Sequence, residues 1–405
     1  MLIQREIYMG RIRGFIDQPE IVKIITGLRR SGKSVMLGLI QQELLARGIT
    51  QDRFLTYNFE DMGLRDIRDA EKLHSHLKAK LDAMHGRAYL FLDEIQEVEK
   101  WEACVNSLRA ISDADIYVTG SNAKMLAGEY ATLLAGRYVE IRLYPFSFQE
   151  FRAAALARAP GMPDGEAFKQ YLRQGGMPFL ASLGLSESDS KLYLQDIFAS
   201  VVIKDIIKRY RFREVELLER IIAYALENIG RTFSAASISR FLKSERRTVS
   251  PETILSYLKA CEEAYLLTKI KRLDVPGKKT LQVNEKYYLA DHGIREAVYG
   301  DNERDIELVL ENIVCLELLR RGYKVFIGRV GEKEIDFVCE IGDARVYVQV
   351  CYLLAGKDAI NREFGAYYDV PDNYPKYVVS MDEIDMSRDG IKHMNIRDFL
   401  LAPSY

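Results

Sequence analysis

The sequence predicts an α/β protein in which a parallel sheet, covered by helices on both faces, is followed by smaller helical and α/β modules. Three observations lead there. Apolar, β-branched runs such as "IVKIIT" (21–26) and "AYLFLD" (88–93) alternate with stretches apolar at helical spacing, such as "VMLGLIQQELLARG" (35–48). That is the rhythm of strands buried between helices. The segment "GLRRSGKS" (27–34) fits G-x-x-x-x-G-K-[ST] and lies between such a strand and such a helix, the order a phosphate-binding loop requires. Finally, 405 residues with 48% hydrophobic and 29% charged side chains supply apolar material for more than one core, in about two to four domains.

Composition also excludes. A formal net charge of -2 rules out the strongly basic balance of a tail-driven nucleic-acid binder and leaves room for a local basic face. The five cysteines at 104, 261, 315, 339 and 351 have no C-x-x-C spacing, so neither a zinc site nor a disulfide framework is expected, and a reducing cytoplasm is the expected compartment. The start "MLIQREIYMGRIRGF" carries charges where a signal peptide needs an apolar run, and no window reaches about 18 uninterrupted apolar residues, so neither export nor membrane insertion is expected.

Residues 1–150 form the expected nucleotide-binding core. Gly27 and Gly32 let backbone amides turn inward around phosphate oxygens at a helix amino terminus, with Arg30, Ser31 and Val35 in the same cradle. Lys33 is expected to reach the β and γ phosphates of ATP, and Ser34 to ligate Mg²⁺. The strand "AYLFLD" ends in Asp93, expected to hold Mg²⁺ through its water shell, and Glu94 follows as general base for the attacking water. "RFLTYNFED" (53–61), "DIYVTGSN" (115–122) and "YVEIRLYP" (138–145) bring the strands to five. Asn122, just past its strand, is placed to orient the water. Arg137 is placed to reach the nucleotide of a neighbouring subunit, which implies a homo-oligomer.

The set "TGLRRSGKSVML" (26–37), "FLDEIQ" (91–96), "TGSN" (119–122), "LLAGRYVEIRLYPFSFQEF" (133–151) and "GGMP" (175–178) resembles the prokaryotic AAA-type ATPases that carry a nuclease-like carboxy-terminal domain. The extra strand between phosphate loop and acidic strand is characteristic of the AAA and RecA type. The resemblance covers nearly the whole chain and implies ATP binding and hydrolysis, with Lys33, Ser34, Asp93, Glu94, Asn122 and Arg137 at its motif positions. It implies no substrate.

Residues 151–213 read as a helical lid. Over 214–300, three amphipathic helices precede "LTKIKRLDVPGKKTLQVNEKYYLAD", two strands around a Pro-Gly-Lys-Lys turn, which together make a winged-helix domain. Residues 201–300 carry 19 Lys and Arg against 13 Asp and Glu, the sign that phosphate contacts need. Arg240, Lys243, Arg246, Arg247, Lys271, Arg272, Lys278 and Lys279 are the candidate DNA contacts. The third helix opposes that reading, since Glu252, Glu262 and Glu263 outnumber Lys259; docking of a protein partner stands beside DNA.

Residues 301–405 place a helix (303–321) before the strands "KVFIGRV", "EIDFVCEI" and "ARVYVQVC", an order similar to the restriction-endonuclease-like core. That resemblance implies a site built from a helix Glu, a strand Asp and an E-x-K triplet around Mg²⁺. Glu311 and Asp336 fill the first two positions, but the triplet reads Gln349, Val350, Cys351. Gln is a weaker ligand for a hard cation and Cys cannot replace an ammonium. Cleavage is therefore not expected unless a lysine such as Lys333 or Lys357 enters from elsewhere. Three functions remain: a nucleic-acid-associated ATPase, a nucleotide switch acting on protein partners, and an ATP-gated nuclease.

Overall fold

The computed structural model describes residues 2–123, 134, 136–210, 212, 214–277, 279–300 and 302–405, with backbone alone at 280–284. The chain divides into two compact units, one made of Leu2–Tyr144 with Glu263–Tyr265 and the other of Pro145–Glu262 with Leu266–Tyr405.

The first unit holds, in chain order, α1 (Glu6–Arg13), β1 (Val22–Thr26), α2 (Lys33–Ala46), β2 (Phe54–Asn58), α3 (Ala70–Asp82), β3 (Ala88–Asp93), α4 (Trp101–Ile111), β4 (Ala114–Gly120) and β5 (Tyr138–Arg142). The five strands are all parallel in the order β2-β3-β4-β1-β5. Every residue of β1, β3 and β4 is buried, whereas the edge strands β2 and β5 are partly open. Continuous apolar strands are what a sheet covered on both faces demands. Tyr8 and Ile12 of α1 pack with Met36, Ile40 and Leu44 of α2 in one layer. In another, Leu73 and Leu77 of α3 pack with Trp101, Val105 and Leu108 of α4. A charged pair interrupts the apolar interior: Lys23 of β1 and Asp115 of β4, both fully buried, form an ion pair. Tyr117 donates to the second Asp115 oxygen at 2.7 Å. Burial lowers the proton affinity of Lys23, and the Asp115 charge opposes it.

The second unit begins with the helices α5 (Phe148–Arg158), α6 (Asp164–Gln174), α7 (Pro178–Leu183) and α8 (Glu187–Ser200). A π-helical turn at Val201–Ile207 leads into the short α9 (Lys208–Tyr210), and then come α10 (Val215–Glu227), α11 (Ala235–Ser244) and α12 (Pro251–Glu263). The hairpin β6 (Leu267–Asp274) and β7 (Lys279–Leu289) is followed by α13 (His292–Val298), α14 (Ile306–Arg320), β8 (Lys324–Val330), β9 (Lys333–Ile341) and β10 (Ala344–Val350). The chain closes with α15 (Gly356–Gly365), β11 (Lys376–Ser380), β12 (Lys392–Asn395) and α16 (Ile396–Leu401). The hairpin anticipated as a wing is part of a larger sheet. Residues 272–274 of β6 pair in parallel with 327–329 of β8, giving one seven-stranded sheet in the order β12-β11-β10-β9-β8-β6-β7. The boundary expected after residue 300 falls between strands of that single sheet.

The "GGMP" segment owes its glycines to a crowded junction. Gly175 has φ +73°, and a Cβ there would lie 2.1 Å from Asp291 Oδ1; one on Gly176 would lie 2.3 Å from the Phe146 carbonyl oxygen. Asp291 is buried and accepts from the backbone N–H groups of Gly176 (2.7 Å), Gly293 (2.9 Å) and Ile294 (3.3 Å). His292 Nε2 donates to the Tyr171 carbonyl at 2.6 Å. Burial raises the Asp291 carboxyl to about 7, against the pull of those three donors.

Two outcomes follow from this junction. Gly176→Ala is expected to lower unfolding free energy by about 1–3 kcal/mol through overpacking, read as a fall in urea midpoint. Asp291 holds its proton more tightly folded than unfolded, so its contribution is fullest below its ordinary value of about 4 and is lost as pH rises toward about 7. Urea titrations between pH 4.5 and 8 should show that slope, reduced in Asp291→Asn.

Candidate functional site

The loop after β1 is shaped by close approach. Leu143 donates its N–H to the Thr26 carbonyl at 2.7 Å, and a Cβ on Gly27, at φ +144°, would sit 2.2 Å from the Leu143 carbonyl oxygen. Only glycine fits there. Arg30 (φ +64°) and Gly32 (φ +98°) complete the turn into α2, and Arg30 and Val35 are exposed. Ser31 is buried, its Oγ without a hydrogen-bond partner among the described residues. Lys33, 3% exposed, folds its ammonium over the loop: Nζ donates to the carbonyls of Gly27 (3.3 Å) and Leu28 (3.2 Å) and lies 3.6 Å from Glu94 Oε1.

The sheet order brings the acids to this loop. β4 lies between β1 and β3, and Thr119 near its end ties the acidic pair together: its hydroxyl donates to Asp93 Oδ1 and accepts from the Glu94 N–H at 2.9 Å. Ser34 also hydrogen-bonds Asp93. Burial raises the Asp93 carboxyl, the Thr119 and Ser34 bonds lower it, and the neighbouring Glu94 charge raises it. Glu94 has φ +51°, an uncommon conformation for a residue with a Cβ, and Gln96 Nε2 donates to its Oε2. Asn122 is fully buried just beyond β4. Arg137 is exposed, its guanidinium 3.5 Å from Asn106 Oδ1. Lys33, Ser34, Asp93 and Glu94 thus meet at one place.

Two contributors had no role assigned from the sequence, although Thr119 opens the "TGSN" segment. Thr119 is one of several β-branched residues in its strand. Arg5, buried ahead of α1, donates to the carbonyls of Ser31 (2.9 Å) and Tyr144 (2.7 Å) and lies over the Tyr8 ring. A loop 26 residues away in sequence is thereby braced from behind.

Residues 20–152 match the family described as an AAA domain, and residues 165–305 match a domain of unknown function. An uncharacterized protein of Haemophilus influenzae is 36% identical over 401 residues, covering 99% of each chain. The chain belongs with it in one family, and carries an AAA domain over residues 20–152. An uncharacterized protein of Methanocaldococcus jannaschii is 27% identical over 391 residues, covering 94% of this chain and 85% of its own. Among solved structures, this chain aligns with the Aeropyrum pernix ORC1 protein in complex with DNA at a TM-score of 0.35 and 15% identity, over 76% of this chain and 94% of the other.

The carboxy-terminal candidates also meet, around a lysine that sequence reasoning missed. Lys286 of β7 places Nζ 2.9 Å from Glu311 Oε1, 2.8 Å from Glu334 Oε1 and 3.9 Å from Asp336 Oδ1. Tyr288 donates to Glu311 Oε1 at 2.6 Å, and the Val350 N–H to Asp336 Oδ2 at 2.8 Å. Gln349 turns its Oε1 to the Asp336 N–H at 3.1 Å. The lysines suggested from sequence are elsewhere: Lys333 pairs with Asp369 at 2.7 Å, and Lys357 is exposed at the start of α15. Burial raises the Cys351 thiol and keeps it unreactive. Among the described residues no group of three or more His, Cys, Asp or Glu is arranged to hold a metal ion.

Of the candidate DNA contacts, Arg240 and Lys243 are exposed on α11, Arg246 just after it, and Lys271 and Lys279 on the hairpin. Arg247 pairs with Glu216 at 2.6 Å, and Arg272 turns inward to Glu334 at 2.6 Å and to Thr232 Oγ1 at 3.0 Å. Lys278 lies outside the described residues. No helix among the described residues is long and apolar enough to cross a membrane.

Thr119→Val, which keeps the volume but neither donates nor accepts, should cost about 1–3 kcal/mol by leaving the Asp93 carboxylate and Glu94 N–H short of a partner. Thermal denaturation checks this.

Proposed function

We propose that this protein hydrolyses ATP in a Mg²⁺-dependent reaction and that nucleic acid regulates it. The observation that carries the first part is the meeting of the Lys33 ammonium, the Ser34–Asp93 pair and the Glu94 carboxylate at a loop where Gly27 leaves no room for a side chain. The donors suit the group: an amide cradle and an ammonium fit a polyphosphate, a hydroxyl and a carboxylate fit a hard cation, and the buried Ser31 Oγ has a lone pair and a proton to offer. When bound, Mg²⁺ would be held by Ser34 and Asp93 and would neutralise phosphate charge.

The chain's own residues do the rest. Lys33 exchanges its two loop carbonyls for phosphate oxygens. Glu94, oriented by Gln96 and by its backbone anchor on Thr119, takes a proton from the attacking water at its carboxylate, and Asn122 orients that water. Arg137 reaches the nucleotide of a second copy, so the active form is a homo-oligomer. Support for nucleic acid is electrostatic: Arg240, Lys243, Arg246, Lys271 and Lys279 are exposed in a segment with excess basic charge. A protein partner in place of DNA draws support from Phe179, Leu183 and Leu192, which α7 and α8 expose by 48%, 51% and 61%.

Steady-state hydrolysis with and without duplex and single-stranded DNA tests the reading. Glu94→Gln should cut turnover by about 10²–10⁴ with ATP binding retained, while Lys33→Ala should lose binding. DNA stimulation should weaken as salt rises and drop in Arg240→Glu/Lys243→Glu. Turnover indifferent to DNA at every salt concentration would transfer the regulatory role to a protein partner.

A further inference from the structure

We propose that the Lys286 ammonium is the resident cation of the Glu311–Glu334–Asp336 cluster and closes that site to divalent metal ions. Three carboxylates from α14 and β9 converge on one nitrogen carried by the hairpin strand β7, with two contacts at 2.8–2.9 Å and the third at 3.9 Å. Lys286 is 4% exposed and Glu311 and Asp336 are 8% exposed, so the ammonium has left most of its water behind and the carboxylates take water's place.

Several of the remaining positions around these acids are taken by this chain as well. Glu311 Oε1 accepts from Tyr288 besides Lys286. Its other edge faces Gly230, where a Cβ would come within 3.1 Å of Oε2. Glu334 Oε2 accepts from Arg272, and Asp336 Oδ2 from the Val350 N–H. Lysine and arginine thus bring two positive charges against Glu311 and Glu334. A dication entering the cluster would meet an ammonium already in place among the three acids. The internal cation acts on the two acids, Glu311 and Asp336, that the sequence retains beside Gln349 and Cys351.

Removing the ammonium should convert the cluster into a divalent site. Mn²⁺ binding to nucleotide-free full-length protein, counted by paramagnetic resonance, is compared among the natural chain, Asp336→Asn, Lys286→Ala and Lys286→Ala/Asp336→Asn. The natural chain and Asp336→Asn should bind equal numbers of ions, Lys286→Ala one more, and the double variant should lose that extra ion. Lys286→Ala should also melt several degrees lower in EDTA and recover with Mn²⁺, whereas the natural chain should be indifferent. The proposal fails if Asp336→Asn loses an ion that the natural chain holds, if folded Lys286→Ala gains none, or if that variant melts like the natural chain in EDTA. Should Lys286→Ala not fold at all, the comparison of the natural chain with Asp336→Asn still decides.

Discussion

A charge taken out of water must meet an opposite charge and enough hydrogen-bonding partners to replace its hydration, and both units of this protein are organised around such meetings. Lys23 and Asp115 join two central strands of the parallel sheet. Lys33 covers the phosphate loop, and Lys286 gathers the carboxylates of the second unit. What separates them is how firmly each is held. The two carbonyls and one carboxylate around Lys33 lie at 3.2–3.6 Å, partners that an anionic ligand can replace. Two carboxylates hold Lys286 at 2.8–2.9 Å, and the lysine itself is nearly buried. The same side chain is poised to move in one place and fixed in the other.

In the first unit the strand order converts a loop motif into a site. β2 separates the loop from the acidic strand in sequence, but β4 separates them in space. The Thr119 hydroxyl therefore falls between β1 and β3, and a single side chain sets the height of Asp93 and the direction of the Glu94 backbone. Arg5 and Leu143 fix the far side of the loop. The glycines are required because the loop is squeezed between these supports.

In the second unit the hairpin extends the carboxy-terminal sheet, which carries Lys286 to acids on α14 and β9. The paired glycines at 175 and 176 follow the same logic, since the Asp291 carboxylate and the Phe146 carbonyl occupy the space where side chains would be.

Much of this was legible in the residues. The five strands, the loop and the acidic pair were readable because each is a local pattern: burial on both faces forces β-branched runs, and a tight anion-binding turn forces glycine at fixed positions. The hairpin and the helices before it were readable for the same reason. Lys286 was not, because nothing within several residues of it distinguishes it from a solvated lysine in a strand, and Lys333 and Lys357 were nearer to the altered triplet in sequence. Thr119 and Arg5 were hidden likewise, as their roles depend on strand order and on a loop 26 residues away. By itself, the sequence determined which segments become strands and helices and where a phosphate loop forms, since those follow from local sterics and the periodicity of apolar residues. Only the tertiary structure decided which lysine meets which carboxylate, because pairing across a sheet depends on the order and register of strands far apart in the chain.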